Sequence, residues 1–299
     1  MTSSPTRFAL KSKKSWLFAA LLIFLFPCLG WGIETYSGDY KTILNSQTDT
    51  LTIWNYADNL QIYVLDFPNL TMQGRTFNRV TQFTEQAQNG ESYPKVLNND
   101  EFIRYMDARR RTQANFAFGH DVLVSEMVQF YNIVDRDKID LFPEELELRD
   151  FLVDRRFIKV WRGFYQALQP DVVILSIPQI QAKKDNEPQV SELARQAIFA
   201  HEISHGEYYT NSHYANYCRM FWQQTLTDAQ REIFLNFFKR YNYAVNIPEL
   251  IVNEMQAYLM FTPDPLSFSA KKLGVKDEEL ESLREAFRKG KPPTKLPLR

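Results

Sequence analysis

Histidine, cysteine and excess charge of either sign are what this 299-residue chain has least of, and each shortage closes a class of function. With 35 basic against 36 acidic side chains the formal charge is −1, so no global field attracts nucleic acid and no nucleic-acid partner is expected. Two cysteines, Cys28 and Cys218, cannot build a disulfide framework. The apolar run from Trp16 to Phe26 falls well short of the roughly 20 residues a membrane-spanning helix needs. There is no internal repeat and no low-complexity tract. Only four histidines exist, so the placing of two of them carries weight.

The amino-terminal residues read as an address. Arg7, Lys11, Lys13 and Lys14 precede the apolar run without any acid, and Pro27-Cys28-Leu29-Gly30-Trp31-Gly32 follows it. A basic stretch, a short apolar stretch and small residues make a secretory signal peptide over residues 1–32, cleaved after Gly30 or Gly32. The expected location is therefore exported, periplasmic or secreted. Losing four positive charges takes the mature chain from −1 to about −5. Membrane contact is expected only through this signal peptide or, as an alternative processing, a lipid anchor at Cys28. An uncleaved anchor is the remaining alternative. Cys218 then becomes the single thiol of the mature protein, and packing is its expected role.

A hydrophobic content of 44% supports a sizeable core. The pattern predicts an α+β fold, mostly helical, with a small β-sheet flanking a central helix. Thr50 to Trp54 and Leu60 to Phe67 read as a hairpin, and Val172 to Ile177 as a buried strand. Helices are expected from Arg75 to Gln88, ended by Asn89-Gly90, and from Glu101 to about Thr112. Others should open at Gly119-His120-Asp121 and at Pro143, with a helical aromatic-rich stretch from Ile158 to Leu168. Ser212 is expected to cap a helix to about Gln224, Thr227 to open a capping box, and Pro248 to start the helix that follows. Residues 33–190 form the expected amino-terminal lobe and 191–265 a helical lobe. Residues 266–299 complete the chain as an exposed helix and a basic, disordered tail.

The central helix runs from Ser191 to Tyr209 and contains Ala200-His201-Glu202-Ile203-Ser204-His205-Gly206. Histidines four apart on a helix lie about 40° apart around its axis and about 6 Å apart along it, so both rings can reach one metal ion. Glu202 beside them is placed to take a proton from water rather than to ligate. This HExxH spacing is the pattern of zinc-dependent hydrolases, and zinc is the expected cofactor. A catalytic zinc wants a third protein ligand and one open position. Glu254 is the candidate, since it sits mid-helix among Leu250, Ile251, Val252 and Met255, where an unpaired carboxylate is costly to bury. Two neutral imidazoles and one carboxylate would leave a site of net charge near +1, enough to bring the pKa of a bound water toward about 7. His213 is the runner-up ligand.

HEISH followed by Asn253-Glu254-Met255-Gln256-Ala257 resembles the gluzincin pattern of thermolysin-like and aminopeptidase-like zinc peptidases, whose second helix supplies the glutamate in an NExxA-type segment. The resemblance covers about residues 191–260. It implies a zincin-like fold in which His201, His205 and Glu254 hold zinc, Glu202 is the general base and Asn253 supports a ligand. It also implies that a strand before the metal helix, here Val172 to Ile177, edges the cleft and pairs with extended peptide. The interval between His205 and Glu254 is longer than in thermolysin-like enzymes, and no GxMEN-type segment marks an exopeptidase. Tyr208 and Asn211 occupy the places where the metzincin form needs a glycine and a histidine.

The expected activity is thus that of a metallopeptidase acting on a peptide or protein substrate through a zinc-bound water. Donors to the developing oxyanion are sought among Tyr208, Tyr209, His213, Tyr258 and His120, with Tyr209 and His213 favoured as the catalytic pair beside Glu202. Two alternatives stay open. One is a non-enzymatic exported protein with a structural metal, which needs a fourth ligand such as Glu207 and uses its aromatic helices as a partner surface. The other is a zinc amidase acting on cell-wall peptides.

Overall fold

The computed structural model describes residues 34–86, 95–184 and 187–296. The chain runs β1 (Thr35–Gly38), α1 (Tyr40–Leu44), β2 (Thr52–Tyr56), β3 (Ile62–Phe67), α2 (Leu70–Glu85), α3 (Asn99–Ala108), β4 (His120–Leu123), α4 (Val124–Asp137) and α5 (Pro143–Asp154). It continues with β5 (Ile158–Trp161), β6 (Phe164–Ala167), β7 (Val173–Pro178), α6 (Glu192–Thr210) and α7 (Ser212–Met220), which passes into a π-helical turn at Phe221–Thr225. The last elements are α8 (Asp228–Arg240), α9 (Pro248–Phe261), α10 (Ala270–Leu273) and α11 (Asp277–Gly290). This is an α+β fold. The signal-peptide and Cys28 expectations, and the Asn89-Gly90 stop, lie outside the described residues.

Five strands form one mixed sheet in the order β1-β2-β3-β7-β4, and β5 pairs with β6 in a separate ribbon. β3 and β7 are parallel, whereas β4 runs antiparallel to β7 from His120↔Ser176 to Leu123↔Val173. All six residues of β7 are buried, as a strand paired on both sides and covered on both faces requires. One face carries α6, and there Ile62, Val64, Val173, Leu175 and Ile177 pack with Phe199, Ile203, Phe234 and Met255. The opposite face packs Ile53, Leu65 and Ile174 against Phe77 of α2, Met127 and Phe130 of α4, and Phe151 of α5.

Two of the expected helix starts have polar caps. Ser191 accepts from Ala194 N, and Thr227 with Gln230 completes a capping box. Several expected elements are corrected. Residues 120–123 are a strand, and α4 starts only at Val124, because Val122 and Leu123 form a short apolar run that pairs with β7. Ile158 to Leu168 is a hairpin rather than a helix, turned by Arg162 and Gly163 at φ of 52° and 82°. Asn211, not Ser212, caps α7. α3 stops at Ala108, and Arg110 is left-handed at φ 54°. The tail is ordered as far as Leu296, which packs into the core while Lys295 reaches Asp58 at 3.2 Å; residues 297–299 lie outside the described set. The strand expected to edge a cleft, β7, is interior, because β4 covers its other side and is itself the edge.

The register fixes which β4 groups face outward. Val124 N bonds Val172 O at 2.9 Å, so alternate positions, His120 and Val122 with it, turn their backbone groups toward β7. Gly119, Asp121 and Leu123 turn theirs away. Glu126 takes the Leu123 N–H at 2.8 Å, which leaves the Asp121 backbone on an open edge that pairs with no strand among the described residues.

Candidate metal centre

α6 and α9 pack against each other and are pinned within the turn that carries the histidines. Gln256 Nε2 donates to Ser204 Oγ at 3.2 Å, and its Oε1 accepts from Tyr214 at 2.7 Å, so one buried amide ties α6, α7 and α9 together. The rings of His201 and His205 lie with centroids 4.7 Å apart. Both face Glu254. His201 Nε2 is 3.7 Å from Glu254 Oε2, and His205 Nε2 is 3.8 Å from Oε1. These separations are too long for hydrogen bonds.

They do suit an ion. A cation about 2.1 Å from each of two donors requires the donors to lie within about 4.2 Å of one another, and both separations satisfy that limit. Glu254 Oε2 is buried without a hydrogen-bond partner, an arrangement that a bound cation relieves. The tautomer of His201 also fits. Thr262 Oγ1 donates its only proton to Ala257 O at 3.0 Å, so at 2.8 Å from His201 Nδ1 it accepts. The Nε2 lone pair is thereby free and directed at Glu254. Nδ1 of His205 is buried without a partner.

A second set of donors adjoins the first. Asp121, Glu202 and His205 bring ligand atoms within 4.8 Å of one another, with Asp121 Oδ1 3.9 Å from His205 Nε2. Nε2 of His205 has one lone pair and can hold one ion. The two sets therefore make a single centre flanked by two further carboxylates. Glu202 lies against Gly119, where a side chain would overlap Oε1, so the turn before β4 must be glycine for Glu202 to reach its place. The Glu202 carboxylate has no hydrogen-bond partner among the described residues, which leaves it free to exchange a proton.

The field around the centre is negative. Burial, then Asp121 and Glu254, push the Glu202 carboxyl well above its ordinary value. Burial raises Glu254 to about 7, with His205 opposing and Asp121 adding. Burial likewise drives up Glu85, whose carboxyl feels Asp121, Glu254, Glu202 and Glu126, and takes Glu126 to about 7. Glu85 arrives through the end of α2, where its carbonyl accepts from Ala244 N at 2.8 Å. Burial, then His205, hold His201 far below the usual imidazole range, so it stays neutral. Burial also lowers His205, but the Asp121 and Glu254 carboxylates outweigh it and hold that ring above its usual value. No lysine or arginine pairs with any of the five carboxylates among the described residues.

The structure thus brings His201, His205, Glu254 and Glu202 together. Tyr209, at the end of α6, is half-buried, and burial raises its hydroxyl, with Asp121, Glu126 and Glu85 in its field. His213 is exposed on the first turn of α7 and joins neither donor set, which removes it as a ligand and as Tyr209's partner. Tyr208 donates to Glu249 at 2.8 Å. Tyr258 packs edge-on against His201 with centroids 4.8 Å apart. His120 is structural: it stacks on Phe77, its nitrogens meet Ser176 and Asn78 at 2.6 and 2.9 Å, and burial takes its pKa down to about 3. Glu207 accepts from Asn211 at 2.7 Å and lies in neither set. Asp121, Glu85, Glu126 and Thr262 are additions that spacing did not announce; reading residues 120–123 as a strand would have aimed Asp121 at the face that α6 covers.

No protein-family model matches the chain, and neither a curated protein nor a solved structure matches it.

Proposed function

We propose that this protein is an exported zinc-dependent peptidase. The observation that carries the reading is the meeting of two imidazole Nε2 atoms on the two oxygens of one buried carboxylate, 3.7 and 3.8 Å away, beside an unpartnered Glu202. His201, His205 and Glu254 would hold the metal. When bound, zinc supplies Lewis acidity toward a carbonyl oxygen and makes a nearby water acidic enough to attack at neutral pH. Glu202 takes the proton of that water and hands it to the departing amine. Tyr209, whose hydroxyl feels Asp121 and Glu254, is the candidate donor to the developing oxyanion, and burial keeps its proton on it. An extended peptide lies along β4, where the Asp121 N–H and C=O accept a new strand without demanding particular side chains.

Export rests on the composition of residues 1–32; among the described residues no helix is long and apolar enough to cross a membrane. The test is metal analysis of purified protein with a peptide-library digest. About one zinc per chain is expected, with cleavage abolished by chelators. Glu202→Gln should keep the zinc and lose at least about 100-fold in turnover. Full turnover in that variant removes Glu202 from its role. Digesting purified wall fragments in parallel separates peptidase from cell-wall amidase.

A further inference from the structure

We infer that the β5–β6 hairpin is a docking prong for an anionic lipid surface. Its root is fixed. Phe157, Ile158 and Tyr165 are buried, and Asn132 of α4 grips β6 through Tyr165 N at 2.8 Å and Tyr165 O at 3.0 Å. Beyond that root the ribbon's large side chains are exposed. Val160, Trp161, Phe164 and Leu168 are 57%, 54%, 64% and 45% exposed, four large apolar side chains within nine positions. The turn that presents them is tight, with Arg162 and Gly163 both left-handed and Trp161 paired with Phe164 across it.

Charge and shape select the occupant. The ribbon itself, residues 158–168, carries Lys159 and Arg162 and no acid, in a chain whose overall balance is −1. Lys159 Nζ and the Arg162 guanidinium each lie 5.7 Å from the Trp161 ring. An indole flanked by cations is the chemistry of the membrane interface, where the ring sits among headgroups and the cations meet lipid phosphates. Successive strand residues point to opposite faces, so Val160 projects from one side of the ribbon while Trp161 and Phe164 project from the other. A protein docking on one face would leave the other wet. A lipid interface surrounds the tip and covers both.

The test uses the full-length chain with vesicles of phosphatidylcholine, alone or mixed with phosphatidylglycerol, carrying brominated acyl chains that quench tryptophan. The mixed vesicles should quench part of the emission, and Trp161→Phe should remove that part. Lys159→Gln with Arg162→Asn should weaken partition onto the mixed vesicles about tenfold and leave phosphatidylcholine binding unchanged. All these positions are exposed, so melting temperature should not move. Quenching that survives Trp161→Phe would place the contact at another of the five tryptophans and overturn the inference. Equal binding to both vesicles would overturn it too, as would a dimer that Trp161→Ser with Phe164→Ser dissociates.

Discussion

Two buried charge clusters sit on the same helix, six residues apart, and they are built on opposite plans. Arg195, on the second turn of α6, is fully enclosed with Asp66 of β3. The guanidinium holds both Asp66 oxygens at 2.8 Å and also reaches the carbonyls of Ile43, Leu44 and Pro178, while Ser46 and Gln179 complete the carboxylate. Every strong donor and acceptor is used, and the cation is the chain's own. At the candidate metal centre Glu254, Glu202 and Asp121 meet imidazoles, one another and the Tyr243 hydroxyl, and no cationic lysine or arginine among the described residues. In the same low dielectric the first cluster is closed and structural, whereas the second is stable only with protons or with a cation from solution. An incomplete charge balance at a pre-arranged donor set is what makes this cluster the candidate binding site.

The sharpest way to break this contrast is to remove each cluster's key partner. Arg195→Met strands Asp66 and three carbonyls in the core and should cost about 3–5 kcal/mol in urea unfolding, with or without zinc. Glu254→Gln should do the reverse. It removes a buried carboxylate with an unpartnered oxygen, so the metal-free protein should melt at the same temperature or higher. What it loses is the stabilisation by zinc, about 2.7 kcal/mol at a hundredfold excess over Kd in the unsubstituted protein. If Glu254→Gln destabilises the metal-free form as Arg195→Met does, the two clusters are of one kind.

pH sharpens the contrast in direction. Burial holds the Glu202 and Glu85 carboxyls well above their usual range and Glu254 and Glu126 near 7, so the native state keeps protons that the unfolded chain releases above about 4.5. Those groups make the metal-free protein lose stability as pH rises from about 4.5 to 7. His120, held near 3, opposes them: its contribution is full above about 6.5 and is lost as pH falls below that. Comparing zinc-loaded with metal-free protein cancels His120, because zinc competes for the carboxylates and not for that ring. The gap between the two melting temperatures should therefore widen from pH 5 to pH 7.5. A constant gap means the ion does not displace those protons.

The sequence made the helical part of the centre legible because helix spacing is local. His201, His205 and Glu202 follow from one turn of α6, and Ser191, Thr227 and Pro248 mark helix starts in their own neighbourhoods. Asp121 reaches the centre only because β4 pairs with β7 some fifty residues later, a register no local pattern encodes. The same limit hid the edge strand and the hairpin. Short apolar runs fit either period, and an Arg162-Gly163 turn lacks the asparagine or aspartate that usually announces a left-handed pair. His213 illustrates the opposite error, since sequence closeness to the motif says nothing about which face of α7 a side chain takes.

The smallest expected effect tests the finest point of the contrast, whether the open cluster is pre-arranged as carefully as the closed one. Thr262 ends α9 and fixes the His201 tautomer by donating to Ala257 O and accepting from Nδ1. Thr262→Val keeps the shape, removes the acceptor and lets the proton move to Nε2, the nitrogen the metal needs. Zinc affinity should fall by about 10–100-fold in competition with a chelating dye, while the unfolding midpoint of the metal-free protein moves little. Unchanged affinity would mean that His201 is oriented by its packing against Tyr258 alone, and that the hydroxyl belongs to the end of the helix rather than to the site.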